Sequence, residues 1–278
     1  DVTLVREVSW SNVRDKLNIG IFDAAHLLAP VAIASSLGLG HVKVPIVAPF
    51  NLGLNGNAIT VSPALHAAIM GEIEGDAVDP MATAMALARV VAIRRKSGAE
   101  PLTFGMTFPF STHNYQLRFW MAAGGVDPDE DVRLVVLPPP YMVDSLANGH
   151  VDAFCVGAPW NSVAVDLGVG HILHFVSDIL VRAAEKVLAV RQNWAEKNAD
   201  VLAALVRAIN GIGLSGGSER FDTVAFADRV RSIFAVEPFL RWAAVNVLIG
   251  GWDNYFATPG NYYLYNSTRT PGSRDVVG

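Results

Sequence analysis

Short apolar runs alternate with amphipathic stretches along most of the chain. The runs Val44–Pro49, Ala58–Val61 and Val151–Val156 have the length and the β-branched content of buried strands. In Asn198–Ile209 the apolar residues recur at the spacing of one helix face. Strands that alternate with helices are typical of parallel α/β proteins, so this pattern predicts an α/β fold.

Glycines, prolines and capping residues delimit the predicted elements. Strands are predicted at Val2–Arg6, Ile19–Ala24, Val44–Pro49, Ala58–Val61, Leu102–Phe108, Val132–Leu137, Val151–Val156 and Lys186–Val190. Helices are predicted from Ser9 or Ser11 to Leu17 and at Ala82–Lys96, Thr112–Ala123, Tyr141–Asn148 and Asn198–Ile209. The last sixty residues are expected to form helices and loops that complete the first lobe.

An internal repeat supports two similarly built lobes. Leu17, Gly20, Asp23, Ala24, Ala29 and Pro30 recur with identical spacing as Leu146, Gly149, Asp152, Ala153, Ala158 and Pro159. One explanation is a common helix-to-strand turn that was used twice, because glycine is the usual helix stop. The other is a pair of related lobes, and these imply a cleft in which small ligands bind.

Composition excludes several classes of protein. With 51% hydrophobic and 17% charged residues the chain is not disordered. Its 21 basic residues against 26 acidic ones leave no basic surplus for nucleic acid. A single cysteine, Cys155, excludes an internal disulfide and a cysteine-built zinc site. The uncharged span between Lys43 and Glu72 is interrupted by prolines and glycines, so no membrane span is expected.

The segment Thr107–His113, with the sequence TFPFSTH, follows a predicted strand and opens a predicted helix. Free N–H groups at a helix start favour an anion, and Thr112 and His113 add side-chain donors. The alternative is simple N-capping by Ser111 or Thr112 with a surface histidine.

Three other polar positions allow two interpretations each. Asn55-Gly56-Asn57 is either a hairpin turn or a crossover between lobes with Asn57 facing a cleft. Lys186 is either a solvated cation at a strand entry or a ligand-binding group, and Trp10 is either a core residue or a cleft wall. His171 and His174 form an H-x-x-H pair without a third ligand cluster, which favours a structural role over a metal site.

Several long blocks in order resemble one family. LNGNAITVS (Leu54–Ser62), the block Thr107–Val132, PPPYMV (Pro138–Val143), VDAFCVGAPWN (Val151–Asn161) and Glu185–Asn198 are similar to the nitrate- and bicarbonate-binding proteins of the NrtA/CmpA/NasS type. The resemblance extends from about Val2 to Ile209. It implies a two-lobed periplasmic-binding-protein-like fold (type II), with parallel or mixed sheets flanked by helices, that closes on a small anion without catalysis.

The resemblance also implies a domain division. Lobe I is expected to comprise residues 1–57 and 188–278, and lobe II residues 58–187. Family members begin with an additional βα unit, so lobe I is expected to lack that unit here.

The family's ligand positions correspond to seven residues of this chain. They are Trp10, Asn57, Thr112, His113, Pro139, Gly157 and Lys186. At Asn57 related transporters often carry glutamine, so the amide is retained on a side chain that is one methylene shorter. Lys186 corresponds to the lysine of nitrate binders, where bicarbonate binders use an acidic residue with a metal ion. The resemblance therefore implies nitrate or nitrite as ligand, with no metal and no cofactor.

Within the family, CVGAPWN with Ala158 is more similar to the cytoplasmic NasS-type sensors, because the transporters more often carry glutamate there. That similarity implies a cytoplasmic sensor that sequesters an RNA-binding antiterminator of the NasT type and releases it when nitrate or nitrite binds. The alternative is the periplasmic binding component of a nitrate ABC transporter. A third hypothesis, an enzyme-like relative on the same fold, predicts a larger organic ligand and turnover.

Overall fold

The computed structural model describes residues 2–7 and 9–215, with side chains up to residue 210. The described chain divides into two units. The first contains the residues up to Leu54 and from Ala184 onward, and the second contains Asn55–Ala183. The expected contribution of residues 216–278 to the first lobe lies outside the described residues.

The first unit is built on a three-stranded antiparallel sheet. Its strands are β1 (Ala24–Leu28), β2 (Ile46–Leu54) and β8 (Ala184–Arg191), and β8 lies in the middle. Its helices are α1 (Trp10–Asn18), α2 (Ala29–Leu37), α8 (Gln192–Lys197) and α9 (Ala199–Ser215). Ser9 caps α1, since its Oγ accepts a hydrogen bond from the backbone N–H of Asn12 at 3.2 Å.

The second unit is built on a five-stranded sheet in the order β5-β4-β6-β3-β7. These strands are β3 (Asn57–Val61), β4 (Thr103–Met106), β5 (Arg133–Val136), β6 (Ala153–Gly157) and β7 (His171–Phe175). The helices are α3 (Pro63–Gly71), α4 (Pro80–Lys96), α5 (Thr112–Ala123), α6 (Met142–Ala147) and α7 (Trp160–Asp166). Short 3₁₀ turns lie at Pro139–Tyr141 and Val176–Asp178.

Strand direction brings the ends of several elements to one edge of this sheet. β4 is parallel to β5 and β6, so the carboxyl ends of these three strands share an edge. β3 runs antiparallel to β6, and its first residue, Asn57, pairs with Gly157 at the end of β6. The amino end of β3 therefore lies at the same edge. Ligands of open α/β sheets usually bind at the carboxyl ends of the strands.

The core of the second unit forms around β3, of which every residue is buried. Phe104, Leu117 and Trp120 are the large side chains packed in the same cluster. The indole Nε1–H of Trp120 donates to the carbonyl of Pro80 at 2.9 Å, so this buried polar group has a partner.

Most predicted elements are present, with ends displaced by a few residues. The helix Thr112–Ala123 has the predicted bounds. The predicted strand Val2–Arg6 is wrong, because these residues form no strand and are exposed. The strand predicted at Ile19–Ala24 is also wrong in position: Ile19 and Ile21 lie exposed in the turn after α1, and the strand begins only at Ala24. Its apolar residues belong to a turn because Gly20, at φ +89°, ends the helix there.

Five helices and strands of the described chain were not predicted from the pattern. They are α2, α3, α7, α8 and β7. The segment Asn55–Gly56 is a crossover and not a hairpin turn, since β2 and β3 belong to different sheets.

The internal repeat corresponds to the same local structure in both units. In each copy a helix ends, a glycine with positive φ follows, and the Asp-Ala pair leads into a strand and then a helix. The glycines are Gly20 and Gly149.

The unit boundaries lie a few residues before the predicted ones. Asn57 therefore belongs to the second unit, because it pairs with Gly157. Lys186 belongs to the first unit, because it pairs with Leu28 and Gly53. Among the described helices, none has both the length and the hydropathy to cross a bilayer.

Gly124 provides a test of the close packing between α4 and α5. A Cβ at this position would overlap the backbone carbonyl of Ala84 in α4. We expect Gly124→Ala to lower the free energy of unfolding by about 3 kcal/mol or more, because backbone atoms cannot move aside cheaply. Urea titration followed by circular dichroism measures this change.

The matched control is Gly71→Ala, at the end of α3, where a Cβ would meet no atom within 4 Å. There we expect an unchanged or slightly increased stability, by up to about 1 kcal/mol, because alanine favours helix. Equal effects of the two substitutions would contradict the close approach of the helices at Gly124.

Candidate functional site

Polar groups of the second unit gather at the sheet edge where β3 begins and β4, β5 and β6 end. Asn57 opens β3, and Gly157 ends β6 as its pairing partner. The segment Thr107–Ser111 leads from β4 into α5, and Pro139 follows β5 at the start of a 3₁₀ turn. The directions of the strands therefore bring four predicted parts of the site to this edge of the sheet: Asn57, Gly157, Pro139 and the start of α5.

The start of α5 has the predicted capped form. Ser111 is the N-cap, and its Oγ accepts from the backbone N–H of Asn114 at 3.1 Å. Thr112 and His113 are the first two helical residues, and both side chains are buried. The surface-histidine interpretation is therefore wrong. Backbone N–H groups at this helix end carry partial positive charge, which favours an anion.

His113 is held by the loop that precedes its helix. Its Nδ1 lies 2.9 Å from the hydroxyl oxygen of Thr107, and both residues are buried. A hydrogen bond at one ring nitrogen fixes the orientation of the ring and determines whether the other nitrogen of the neutral ring carries a proton. His113 is therefore positioned by Thr107, a residue that sequence reasoning placed in the motif but did not assign to the site.

Asn57 is paired with a glutamine that sequence reasoning missed. The Asn57 Nδ2–H donates to Oε1 of Gln116 at 3.0 Å, and both side chains are buried. Gln116 lies in α5, three residues after His113 and four after Thr112, so the three share a helix face. That spacing was visible in the sequence, but the pairing with Asn57 required the fold.

Gly157 lies directly against the Asn57 amide. A Cβ at Gly157 would be 3.5 Å from Oδ1 of Asn57, an ordinary contact distance. The absence of a side chain here leaves the edge beside the amide open. Pro139 lies half-buried at the same edge, in the turn after β5.

In the first unit, Trp10 and Lys186 lie together. The Lys186 Nζ is 5.5 Å from the centroid of the Trp10 ring, within the range of a cation–π interaction. Only 13% of the Lys186 side chain is exposed, so the solvated-surface interpretation of this lysine is wrong. Trp10 is the first residue of α1, which brings its ring to β8 through the contact of α1 with this strand.

Two further residues belong to this group and were missed from sequence. Glu185 is fully buried, and its carboxylate forms an ion pair with Lys186. His26 lies in β1, with its ring centroid 5.8 Å from that of Trp10. Glu185 was visible as the neighbour of Lys186, whereas the approach of His26 depends on the pairing of β1 with β8.

His26 is neutral at physiological pH. Burial, followed by the positive charge of Lys186, lowers its pKa from 6.5 to about 3, although Glu185 opposes the shift. The positive charge of this group therefore comes from Lys186 and not from the imidazole.

Two remaining polar candidates from the sequence have structural partners elsewhere in the second unit. His174 is buried with its Nε2 2.6 Å from the Thr83 hydroxyl, and His171 stacks on His66 with ring centroids 4.4 Å apart. Cys155 is fully buried within β6.

Known proteins resemble most of the chain. The model of the NMT1-like family matches residues 1–211. A nitrate/nitrite binding protein, NrtA of a Nostoc species, is 33% identical over 213 residues, which are 75% of this chain and 45% of that protein. A bicarbonate transport ATP-binding protein, CmpC of Synechococcus elongatus, is 35% identical over 211 residues, 75% of this chain and 30% of that protein. The chain thus spans less than half the length of these relatives.

Solved structures agree with this similarity. The crystal structure of the periplasmic nitrate-binding protein NrtA from Synechocystis PCC 6803 matches with a TM-score of 0.64 at 25% identity, over 81% of this chain and 56% of that one. The periplasmic aliphatic sulphonate binding protein SsuA from Escherichia coli shares the fold, with a TM-score of 0.52 at 13% identity, over 86% of this chain and 70% of that one. The fold is therefore α/β and periplasmic-binding-protein-like, as predicted, and these structural relatives are substrate-binding proteins.

A second family model, CotH kinase protein, matches residues 186–274. It overlaps the first match over β8, α8 and α9, where β8 is the central strand of the three-stranded sheet. The described part of this range is thus an integral part of the binding-protein fold. With the family model matched over residues 1–211 and the fold shared with NrtA, the chain belongs to the NMT1-like family.

Proposed function

We propose that this chain binds nitrate or nitrite, and that it does so without catalysis. The observation that carries the proposal is Lys186, a largely buried ammonium held against the Trp10 ring in a chain similar to nitrate-binding proteins. Asn57, Thr112 and His113 are proposed to supply neutral donors, with Gly157 and Pro139 lining the site. This chain spans less than half the length of its relatives, so the activity of the whole protein is likewise a proposal.

The chemistry of the donors suits this ligand. Nitrate is a planar monoanion that accepts hydrogen bonds and donates none. A charge-assisted hydrogen bond from an ammonium is roughly twice as strong as a neutral one. In the first unit neutral His26 adds no charge that would compete with Lys186 for an anion. In the second unit the start of α5 carries partial positive charge, which favours an anion there.

Glu185 favours a second candidate, bicarbonate. This ion carries an O–H that can donate to a carboxylate, whereas nitrate has no proton to donate. Glu185 is buried beside Lys186, and a bicarbonate transport protein is among the relatives. Nitrate remains the primary proposal because Lys186 already neutralises Glu185 through their ion pair.

We further propose that the chain is a cytoplasmic sensor whose partner is an RNA-binding antiterminator of the NasT type. Ala158 within CVGAPWN supports this role over that of a periplasmic transporter component. Release of the partner requires that the anion binds the partner-free form better than the partner-bound form.

The primary prediction concerns Lys186. We expect Lys186→Ala to weaken nitrate binding by about 10- to 100-fold, because a charge-assisted hydrogen bond is lost. Isothermal titration calorimetry with sodium nitrate measures this change. Because the substitution also removes the ion pair with Glu185, a thermal melt must show that the variant is folded at the titration temperature.

The matched control is Lys197→Ala, which removes an exposed lysine from the end of α8 in the same unit. Its nitrate affinity should equal that of the wild type. If Lys186→Ala also retains wild-type affinity, Lys186 is not part of the nitrate site.

Glu185→Gln distinguishes the two candidate anions. With nitrate as ligand we expect unchanged or tighter binding, because the variant removes a carboxylate that competes for the Lys186 ammonium. With bicarbonate as ligand we expect about a tenfold or greater loss, because the charged acceptor for its O–H is removed. Calorimetric titration of both anions against wild type and variant gives the comparison, and weaker nitrate binding by the variant would contradict this role of Glu185.

The sensor role predicts a ligand-dependent complex. A tagged form of the chain should retain a NasT-type antiterminator on affinity resin in nitrate-free buffer and release it when nitrate saturates the chain. Release should require much more nitrate for Lys186→Ala. Retention that does not change with nitrate, or no retention at all, would favour the transporter role.

A further inference from the structure

We propose that Gln116 is a ligand-binding residue, and that its side-chain Nε2–H donates a hydrogen bond to an oxygen of the bound oxyanion. Asn57 then acts mainly as the positioning residue that holds the Gln116 amide. This inference rests on the proposed anion-binding function and adds a donor that the family resemblance does not indicate.

The first observation is a buried donor without an acceptor. Gln116 is fully buried, its Oε1 accepts from Asn57, and its Nε2 has no hydrogen-bond partner among the described residues. Buried polar groups almost always have a partner, since an unmade hydrogen bond is costly. An acceptor supplied by a ligand would satisfy this donor.

The second observation is the position of the amide. Gln116 shares a face of α5 with Thr112 and His113, and it contacts Asn57 at the amino end of β3. That end of β3 lies at the sheet edge where β4, β5 and β6 terminate. The orphan donor thus belongs to the same group of residues as the proposed anion ligands.

The third argument is chemical complementarity. An amide whose carbonyl accepts a hydrogen bond becomes a better donor at its nitrogen, because the two bonds polarise each other. The chain of bonds runs from Asn57 Nδ2–H to Gln116 Oε1, and from Gln116 Nε2–H to the ligand. An Nδ2–H of Asn57 is already donated to Gln116, so the shorter asparagine side chain is compensated by a second amide from α5.

The substitution Gln116→Glu tests this role with a minimal change of shape. The variant keeps an oxygen that can accept from Asn57, but it replaces the Nε2 donor with a second oxygen. We expect nitrate affinity at pH 7.5 to fall at least about tenfold, since a donor becomes an acceptor that faces an anion. The difference in nitrate affinity between this variant and the wild type should become smaller as the pH is lowered, because a protonated carboxyl regains an O–H donor. If Gln116 had a purely structural role, this difference in affinity would not depend on pH in that way.

The matched control is Asn161→Asp, the same amide-to-acid change at another buried position of this unit. Both ends of the Asn161 amide have protein partners: Nδ2 donates to the Val156 carbonyl at 2.8 Å and Oδ1 accepts from Thr60 at 2.7 Å. This variant should lower the melting temperature, whereas its folded fraction should bind nitrate with wild-type affinity. A similar loss of affinity in both variants would overturn a specific role of Gln116.

A crystal structure of the wild-type protein with nitrate tests the contact without any substitution. A distance of about 3.2 Å or less between Nε2 and a nitrate oxygen supports the inference. Bound nitrate without this contact overturns it.

The outcomes separate this inference from the proposed function. If the wild type binds nitrate, Lys186→Ala weakens binding and Gln116→Glu does not, only the role of Gln116 is wrong. If the wild type binds neither nitrate nor nitrite, the proposed function is wrong and this inference with it.

Discussion

The antiparallel insertion of β3 into an otherwise parallel arrangement organises the second unit. β3 lies between β6 and β7 and is buried throughout, so its position cannot shift without exposing the core. Its direction brings Asn57 to the edge where the neighbouring strands end. A parallel β3 would place Asn57 at the opposite edge, far from the start of α5. The backbone pairing of one strand thus decides whether an amide and a helix start can serve one site.

The first unit depends on a different constraint, the placement of charge in a largely apolar environment. Glu185 is fully buried and Lys186 nearly so, and buried charges require partners because desolvation is expensive. Glu185 and Lys186 sum to a formal charge of zero, His26 is neutral, and the Lys186 ammonium lies beside the Trp10 ring. A small anion at this position would share the Lys186 ammonium with the Glu185 carboxylate.

The polar residues of the two units differ in their chemistry. In the first unit Lys186 carries a charge, whereas in the second unit Asn57 and Gln116 are amides that hold each other and His113 is held by Thr107. Neutral donors on a rigid edge discriminate by geometry, since they are held by packing and by second hydrogen bonds. The Nε2 of Gln116 has no hydrogen-bond partner among the described residues, which lowers the stability of the fold. On the inference above, the same lack of a partner keeps this donor positioned for a ligand.

The sequence by itself determined the fold class and several of the helices and strands. The α/β class, the helix Thr112–Ala123 and the motif that opens it follow from local patterns, because helix caps and apolar runs act over a few residues. The seven candidate ligand positions followed from family resemblance, and their common role stays a prediction.

Only the tertiary structure decided which residues meet. Sequence could not show that Gln116 bonds Asn57 across 59 positions, or that His26 approaches Trp10, because strand order and register are set by long-range pairing. The strand predicted at Val2–Arg6 was wrong for the same reason. An apolar alternation becomes a strand only when another strand pairs with it. In the described chain no strand pairs with these residues, and they are exposed.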